Sequence, residues 1–515
     1  MKTTKNNALR IALLCSAAIG AAVSTPAVAQ SSKDASVEVE GLVVTGSRIK
    51  RANLTSIQPI QILSTETIDK RGFTNVADAL NELPSSGVPV NPIGDQGGFG
   101  TGRQYINIFN LGTNRTLTLV NGRRFVGANA ASIFTGASPG GQVDFNAIPT
   151  ALIDRIETIQ AGGAAVYGSD AIAGVINIIT KTDFEGVEAD ATYGVSGQGD
   201  AQEYRVRLVG GQKYMDDRLS LMGSYEYNKT EGLPYTARDV TARQIAFDTN
   251  PANRTSSDNI PGSILITDRR IPEVTIGGLP FRTGGSALSG QLTMVDPSNP
   301  ALRVPAQFLP GGALGPYNPG TFYQASVASG GDGLNLGELT SLRSPVDRHV
   351  ATVFGKYDFT DHVRLTGELF YSHLEATEPY NQPIYNAALF GGNSAALRMS
   401  TSNPFLSSQA RSILLSQPVA LPADAASPGD AIFFLDRASV DIGNNKTEAQ
   451  GDTWRGVLNL EGELEFAGRE FNWNVSANRG KATGWFQTPN IDQSKFVLAI
   501  DAVRDASGAI VCRDA

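Results

Sequence analysis

The sequence predicts two architectures in one chain: a compact α+β domain over residues 56–182, then an antiparallel transmembrane β-barrel, incomplete here, with about seven strands in residues 183–515. Three observations predict it. Apolar and polar residues alternate with a period of two after Thr182 and keep doing so. Tight turns alternate with very long polar connections between those strands. Aromatic residues gather on the apolar parity, near the strand ends.

Composition agrees. Gly is 55 and Pro 26 of 515 residues, which suits a loop-rich β protein. No uncharged apolar run approaches the ~20 residues a membrane-spanning helix needs. The net charge of −8 argues against nucleic-acid binding.

Residues 1–29 are predicted to be a signal peptide. Lys2, Lys5 and Arg10 precede the apolar run IALLCSAAIGAAV, and Ala27-Val28-Ala29 supplies a small-residue cleavage site. A lipoprotein signal at Cys15 fits poorly, because Leu14 stands where that signal needs a small residue. One cysteine then remains, Cys512. In an exported chain it implies a free thiol, an intermolecular bond or an absent partner.

Residues 30–55 are polar except for one β-prone island, Glu40, Gly41, Leu42, Val43, Val44, Thr45 and Gly46. The island is either a first strand of the compact domain or a segment that adds to another protein's sheet edge.

The compact domain opens with the strand-like SIQPIQILS. A helix over STETIDKRG follows, capped by Ser64 or Thr65 and stopped at Gly72. A second helix, TNVADALNELP, has Thr74 as its expected cap, with Val76, Leu80 and Leu83 on one face. The segments RQYINIF and RTLTLVNGRRF are predicted strands, with a hairpin turn at Asn121-Gly122. Pro149 is expected to open a short helix, PTALIDRIETIQ. The glycine-rich AGGAAVYGSDAIAGVINIITK closes the domain with a turn and a last strand. Gly163 and Gly168 have P-loop spacing, but Ser169 and Asp170 replace the Lys and Ser/Thr that a phosphate requires. The domain has no histidine, and GSDA is not a nucleophile elbow. No catalytic set, cofactor site or metal site is expected, and the chain is predicted not to be an enzyme. His349, His362 and His373 are too scattered for a ligand cluster.

Seven alternating segments come next. They start near 187, 203, 219, 351, 363, 454 and 471. Turns are expected near Met215-Asp216-Asp217, Thr360-Asp361-His362 and Ala467-Gly468. Long connections occupy about 230–347 and 376–451. Tyr193, Tyr204, Tyr225, Tyr227, Tyr371 and Trp454 fall near the loop end, and Tyr357, Phe359, Phe471 and Trp473 near the turn end. Two lipid-facing aromatic belts are expected of an outer-membrane barrel. Every backbone polar group in hydrocarbon must be paired, so a seven-stranded sheet must close with further strands. The chain is therefore expected to be part of a longer protein, with Cys512 pairing in the remainder.

LGTNRTLTLVNGRR at 111–124 and IDRIETIQAGGAAVYGSDAIAGVINIITK at 153–181 closely resemble the plug motifs of TonB-dependent outer-membrane receptors, and the island at 40–46 stands where that family has its TonB box. The resemblance implies that 56–182 plugs a barrel of about 22 strands. It implies a Gram-negative outer-membrane location after export, and active import of a scarce small to medium ligand of unread class. The implied partners are TonB with its inner-membrane energising complex, and outer-membrane lipid. Plug loops 93–102 and 127–142 would then face the ligand, with Gln96, Phe99, Arg103, Asn129, Phe134 and Gln142 as candidate contacts. Arg115, Arg123 and Arg124 would be ion pairs between plug and barrel. The rival is an adhesin or secretion channel without TonB-coupled uptake. A surface hydrolase would need a catalytic constellation in the long loops, which contain neither His nor Cys.

Overall fold

The computed structural model describes residues 60–514 except 88–100, 129–141, 161–162, 256, 283–289, 325, 380–383, 387–394, 418–429 and 443–445. The expected signal peptide and the island at 40–46 lie outside the described residues, as do Gln96, Phe99, Asn129 and Phe134.

The first domain begins with β1 (Ile60–Ser64), which runs directly into α1 (Thr65–Lys70). Ser64 caps that helix by accepting from Thr67 N, satisfying an otherwise unpaired amide. Glu66 in the first turn and Lys70 in the last complement the helix dipole, and Gly72 at φ 73° ends the segment. The helix α2 (Val76–Asn81) buries Val76, Ala77, Ala79 and Leu80. Its cap is Asn75 rather than the expected Thr74: Asn75 Oδ1 accepts from Asp78 N at 2.8 Å. Thr74 is taken up by the barrel wall instead.

The strand β2 (Thr116–Val120) turns at Asn121-Gly122, with φ of 52° and 73°, into β3 (Arg123–Arg124). Two expectations fail here. The segment after Pro149 is no helix but β4 (Ile153–Ile159), antiparallel to β1 and to β5 (Gly174–Thr180). The spacing of Ile153 and Ile156 imitates a helical face. An irregularity between Ile153 and Arg155 breaks the alternation that would have marked a strand. RQYINIF forms no strand: Ile108 makes only an isolated bridge to Ser86. Tyr105, Ile106 and Ile108 are buried all the same. Apolar content placed this segment in the core, and its backbone stays irregular.

The five strands are ordered β1-β4-β5-β2-β3, with β2 and β5 parallel. A one-turn helix, α3 (Ala164–Tyr167), sits before the parallel pairing. A Cβ on Gly163 would lie 2.6 Å from Val175 Cγ2, and Gly168 takes φ 90°, ψ −172°, a region closed to L side chains. The glycines therefore serve tight packing.

The second part is a seven-stranded sheet in which every neighbour is antiparallel. Its strands are β6 (Gly186–Gly194), β7 (Glu203–Tyr214), β8 (Leu219–Thr230), β9 (Val346–Thr360), β10 (Val363–Pro379), β11 (Lys446–Phe466) and β12 (Arg469–Gln487). They pair in chain order. The tight turns come where alternation placed them, and the sheet is open between β6 and β12. Its burial is inside out relative to a water-soluble protein. Val187, Val353, Leu369, Leu458 and Val475 are exposed on one face, whereas Arg205, Glu226, Arg348, Thr453 and Arg455 are buried on the other. Apolar side chains at the outside of a polar-lined wall are the mark of a lipid-facing barrel. The register aligns Tyr225, Tyr371 and Trp454 in one row across β8, β9, β10 and β11. Tyr357 packs edge-on to Phe359, ring centroids 4.8 Å apart, near the opposite end.

The long connections are not plain loops. The described parts of residues 231–345 and 380–445 fold into small sheets. In one of them Ile432–Ala438 pairs with Leu279–Phe281, with Ile384–Tyr385 and with Leu397–Ser400. Leu292, Phe308, Leu314, Leu414 and Phe433 form a core there, capped by a helix over Ser408–Leu415. The sequence hides this because the strands are mostly two to four residues long, too short for a period to register.

Candidate functional site

Two features stand out: the contact between the inner domain and the barrel wall, and a cavity in the lobe, here called outer, that the described parts of 231–345 and 380–445 form. The contact is built around one carboxylate. Glu226 on β8 is fully buried and accepts from Thr150 N (2.8 Å), Thr150 Oγ1 (2.9 Å) and Ala151 N (3.1 Å) of the inner domain. Arg348 on β9, 1% exposed, completes it at 2.5 Å. The same guanidinium donates to Asn146 O at 2.9 Å and Thr74 O at 3.2 Å. Around it, Arg205 donates to Phe73 O at 2.6 Å and Thr74 Oγ1 to Glu203 at 2.9 Å. Arg207 bridges Asp69 of α1 and Asp190 of β6.

On the other flank Arg455 pairs with Glu368 at 3.0 Å and lies over the Phe125 ring. The wall is not uniformly polar. Met222, Val209 and Phe354 pack on Leu152, and Val350 and Phe370 pack on Ala147. Met222, an interruption in the polar face of its segment, is an apolar seat for the inner domain.

The three expected bridging arginines behave differently. Arg124 pairs with Asp170 at 2.5 Å and donates to Tyr167 O, all within the inner domain. Arg115 donates to Leu111 O. Arg123 donates to Asn121 O, though its charge also acts on Glu368 of the wall. The linking guanidiniums come chiefly from the barrel side. Inward residues of a strand are numerous and regularly spaced, whereas β3 is only two residues long.

The outer lobe encloses an open cavity of about 990 Å³, at the upper end of the usual size for a small-molecule site. Ile276, Leu309 and Phe405 line it and are exposed, Phe405 by 69%. Phe308, Phe433 and Leu435 form its floor, continuous with the lobe's core. Glycines shape the lip: a Cβ on Gly277 would lie 1.9 Å from Phe308 O, and Gly278 sits at φ 106° against Leu435. Two arginines reach the cavity, and both are paired. Arg270 holds Asp268 at 3.0 Å, and Arg437 holds Asp441 at 2.5 Å.

Beside the cavity wall, Glu273 is 1% exposed and its Oε2 has no hydrogen-bond partner. Burial pushes its carboxyl up from 4.5 to about 7. Tyr317 lies close by, donating to Pro272 O. The folded lobe holds this proton more tightly than the unfolded chain does. The contribution of Glu273 to stability is therefore full below pH 4.5 and is lost as pH rises to 7, about 3 kcal/mol in all. Hydrogen exchange over residues 271–281 between pH 4 and 8 is expected to quicken with pH beyond the intrinsic rate, and Glu273→Gln to abolish that excess. An excess unchanged in Glu273→Gln would assign the proton elsewhere.

Of the sequence-predicted contacts, two lie within the described residues. Arg103 donates to Ala128 O, and its guanidinium fills a notch left by the cross-strand glycines Gly451 and Gly484. Gln142 donates to Thr113 Oγ1. Neither lines the cavity. Cys512 is exposed, on a short strand paired with Ala502–Arg504. Sequence reasoning missed the cavity residues. Their one local signal is the glycine-proline run with large apolar residues, FLPGGALGP at 308–316.

Residues 52–175 match the family model described as TonB-dependent Receptor Plug Domain. Among solved structures the chain is similar to a mutant ferric enterobactin receptor, PfeA, of Pseudomonas aeruginosa in complex with enterobactin: 14% identity, TM-score 0.41, 83% of this chain and 42% of that one. It is similar to the siderophore receptor PirA of the same organism at 14% identity and TM-score 0.32, covering 82% of this chain and 50% of that one. The ferric-catecholate import receptor Fiu of E. coli K12 gives 14% and 0.33, covering 83% and 50%. The chain thus spans half or less of the length of these structures.

Proposed function

Since residues 52–175 match the TonB-dependent receptor plug domain, we propose that the chain belongs to that receptor family and is the plug-bearing part of an outer-membrane importer that takes up an external ligand through TonB. The observation that carries this reading is the plug domain held by a buried patch of Arg205, Glu226 and Arg348, on three adjacent strands, on the inner face of a sheet whose other face is apolar and exposed. A plug held by buried charges does not leave its barrel by thermal motion alone, and the outer membrane has no ATP of its own. Opening needs work delivered from the inner membrane.

Residues 1–29 direct export, 30–55 carry the TonB box at 40–46, 56–182 form the plug, and 183–515 contribute the first strands of a closed barrel. The island pairs by its backbone with an edge strand of TonB. The ligand is captured in the outer lobe and passes the plug loops at 93–102 and 127–142. Gln96, Phe99, Arg103, Asn129, Phe134 and Gln142 are the contacts proposed there.

Deletion of residues 40–46 from the full-length protein tests the coupling. The expected result is a correctly assembled outer-membrane protein that no longer captures the periplasmic domain of TonB and no longer supports uptake. Capture and uptake that persist after the deletion would favour the adhesin or secretion-channel alternative.

A further inference from the structure

We infer that the outer-lobe cavity receives a neutral, largely apolar small molecule and disfavours an anionic one; the inference rests on the importer reading and names the ligand class for it. Charge is the first ground. An anion needs unpaired cations, and the cavity offers none among the described residues: Arg270 and Arg437 are each held by a carboxylate. Neither lysine nor arginine occurs at the undescribed positions of 231–345 and 380–445, so those positions can supply no cation. Asp332, Glu338 and Asp441 also line the wall, leaving it with an excess of negative charge. These acids already have partners. Asp332 accepts from Gln307 Nε2 and Asn318 N, both at 2.9 Å, and Glu338 from Asn335 Nδ2 at 3.1 Å. A bound anion would face repulsion without compensation.

Surface is the second ground. Ile276, Leu309 and Phe405 are exposed around one opening, directly above a floor continuous with the lobe's core. Convergent apolar side chains at a cavity mouth mark a binding site rather than a random surface. The floor of Phe308, Phe433 and Leu435 is aromatic and aliphatic. Desolvating such a surface favours a ligand with an apolar body.

Two probes that share one ring system separate the classes. These are N-phenyl-1-naphthylamine, which is neutral, and 8-anilino-1-naphthalenesulfonate, which adds a sulfonate. Full-length protein in lipid nanodiscs is titrated with each by fluorescence, with empty nanodiscs as the blank. The neutral probe is expected to bind at least about tenfold tighter. Phe405→Arg, at an exposed position that tolerates substitution, is expected to weaken the neutral probe at least about tenfold and to strengthen the sulfonate. Ile276→Asp should weaken both. Equal or tighter binding of the sulfonate by the parent protein overturns the inference. So does saturable binding of neither probe, or neutral-probe binding indifferent to both substitutions. Binding to purified protein does not involve TonB. Loss of probe binding with TonB capture intact therefore removes the ligand class and leaves the importer; the converse removes the importer alone.

Discussion

Glu226→Ala is expected to destabilise the full-length protein by about 3–5 kcal/mol, the cost of leaving one member of a buried ion pair alone. The substitution strands the Arg348 guanidinium, which is 1% exposed, and takes the acceptor from Thr150 N and Ala151 N at once. Because these amides belong to the plug, the damage is expected to concentrate at its seat. Limited proteolysis should cut the plug faster, and the denaturant midpoint should fall. Glu226→Gln keeps an acceptor for the amides and should cost less. The double variant Glu226→Gln/Arg348→Met removes the charge imbalance and should recover part of the loss, a non-additivity expected of directly bonded groups. A single-variant cost below about 1 kcal/mol would mean that the pair is solvated and does not hold the plug.

The second large effect is on the opposite face. Leu458 lies midway along β11, between the row of Trp454 and the pairing of Leu464 with Phe471, and is 61% exposed. Leu458→Arg is expected to cost about 2–4 kcal/mol in a lipid bilayer, as for a guanidinium on a barrel exterior near mid-depth. Thr366→Arg, on the inward parity of β10, should be far milder. Equilibrium unfolding of the complete barrel in lipid vesicles measures both. Equal costs would mean that the two faces have been exchanged, and the lipid-facing assignment would fail with them.

What the residues declare without coordinates is the alternation. Seven strands, their turns at Met215, Thr360 and Ala467, and the outward set from Val187 to Val475 all come from a period of two. That period is a local property, because each residue's neighbours in sequence decide its side. The hairpin at Asn121-Gly122 and the stop at Gly72 are local too, since positive φ selects glycine and asparagine.

Where the deciding contacts are non-local, the sequence misleads or stays silent. Ile153 and Ile156 fit a helical face and a strand alike, and pairing with β1 and β5 chose the strand. Thr74 has the chemistry of a cap, but Glu203, about 130 residues further on, claimed its hydroxyl. Arg124 fits a wall contact on paper and found Asp170 within its own domain. The cavity was invisible because its lining comes from loops, strand ends, a helix end and glycine lips scattered over more than 200 positions. Residue type and spacing therefore determined the sheet, its polarity and the family likeness. Only the assembled chain decided which charges meet and where an apolar hollow opens, since both depend on contacts between residues far apart in sequence.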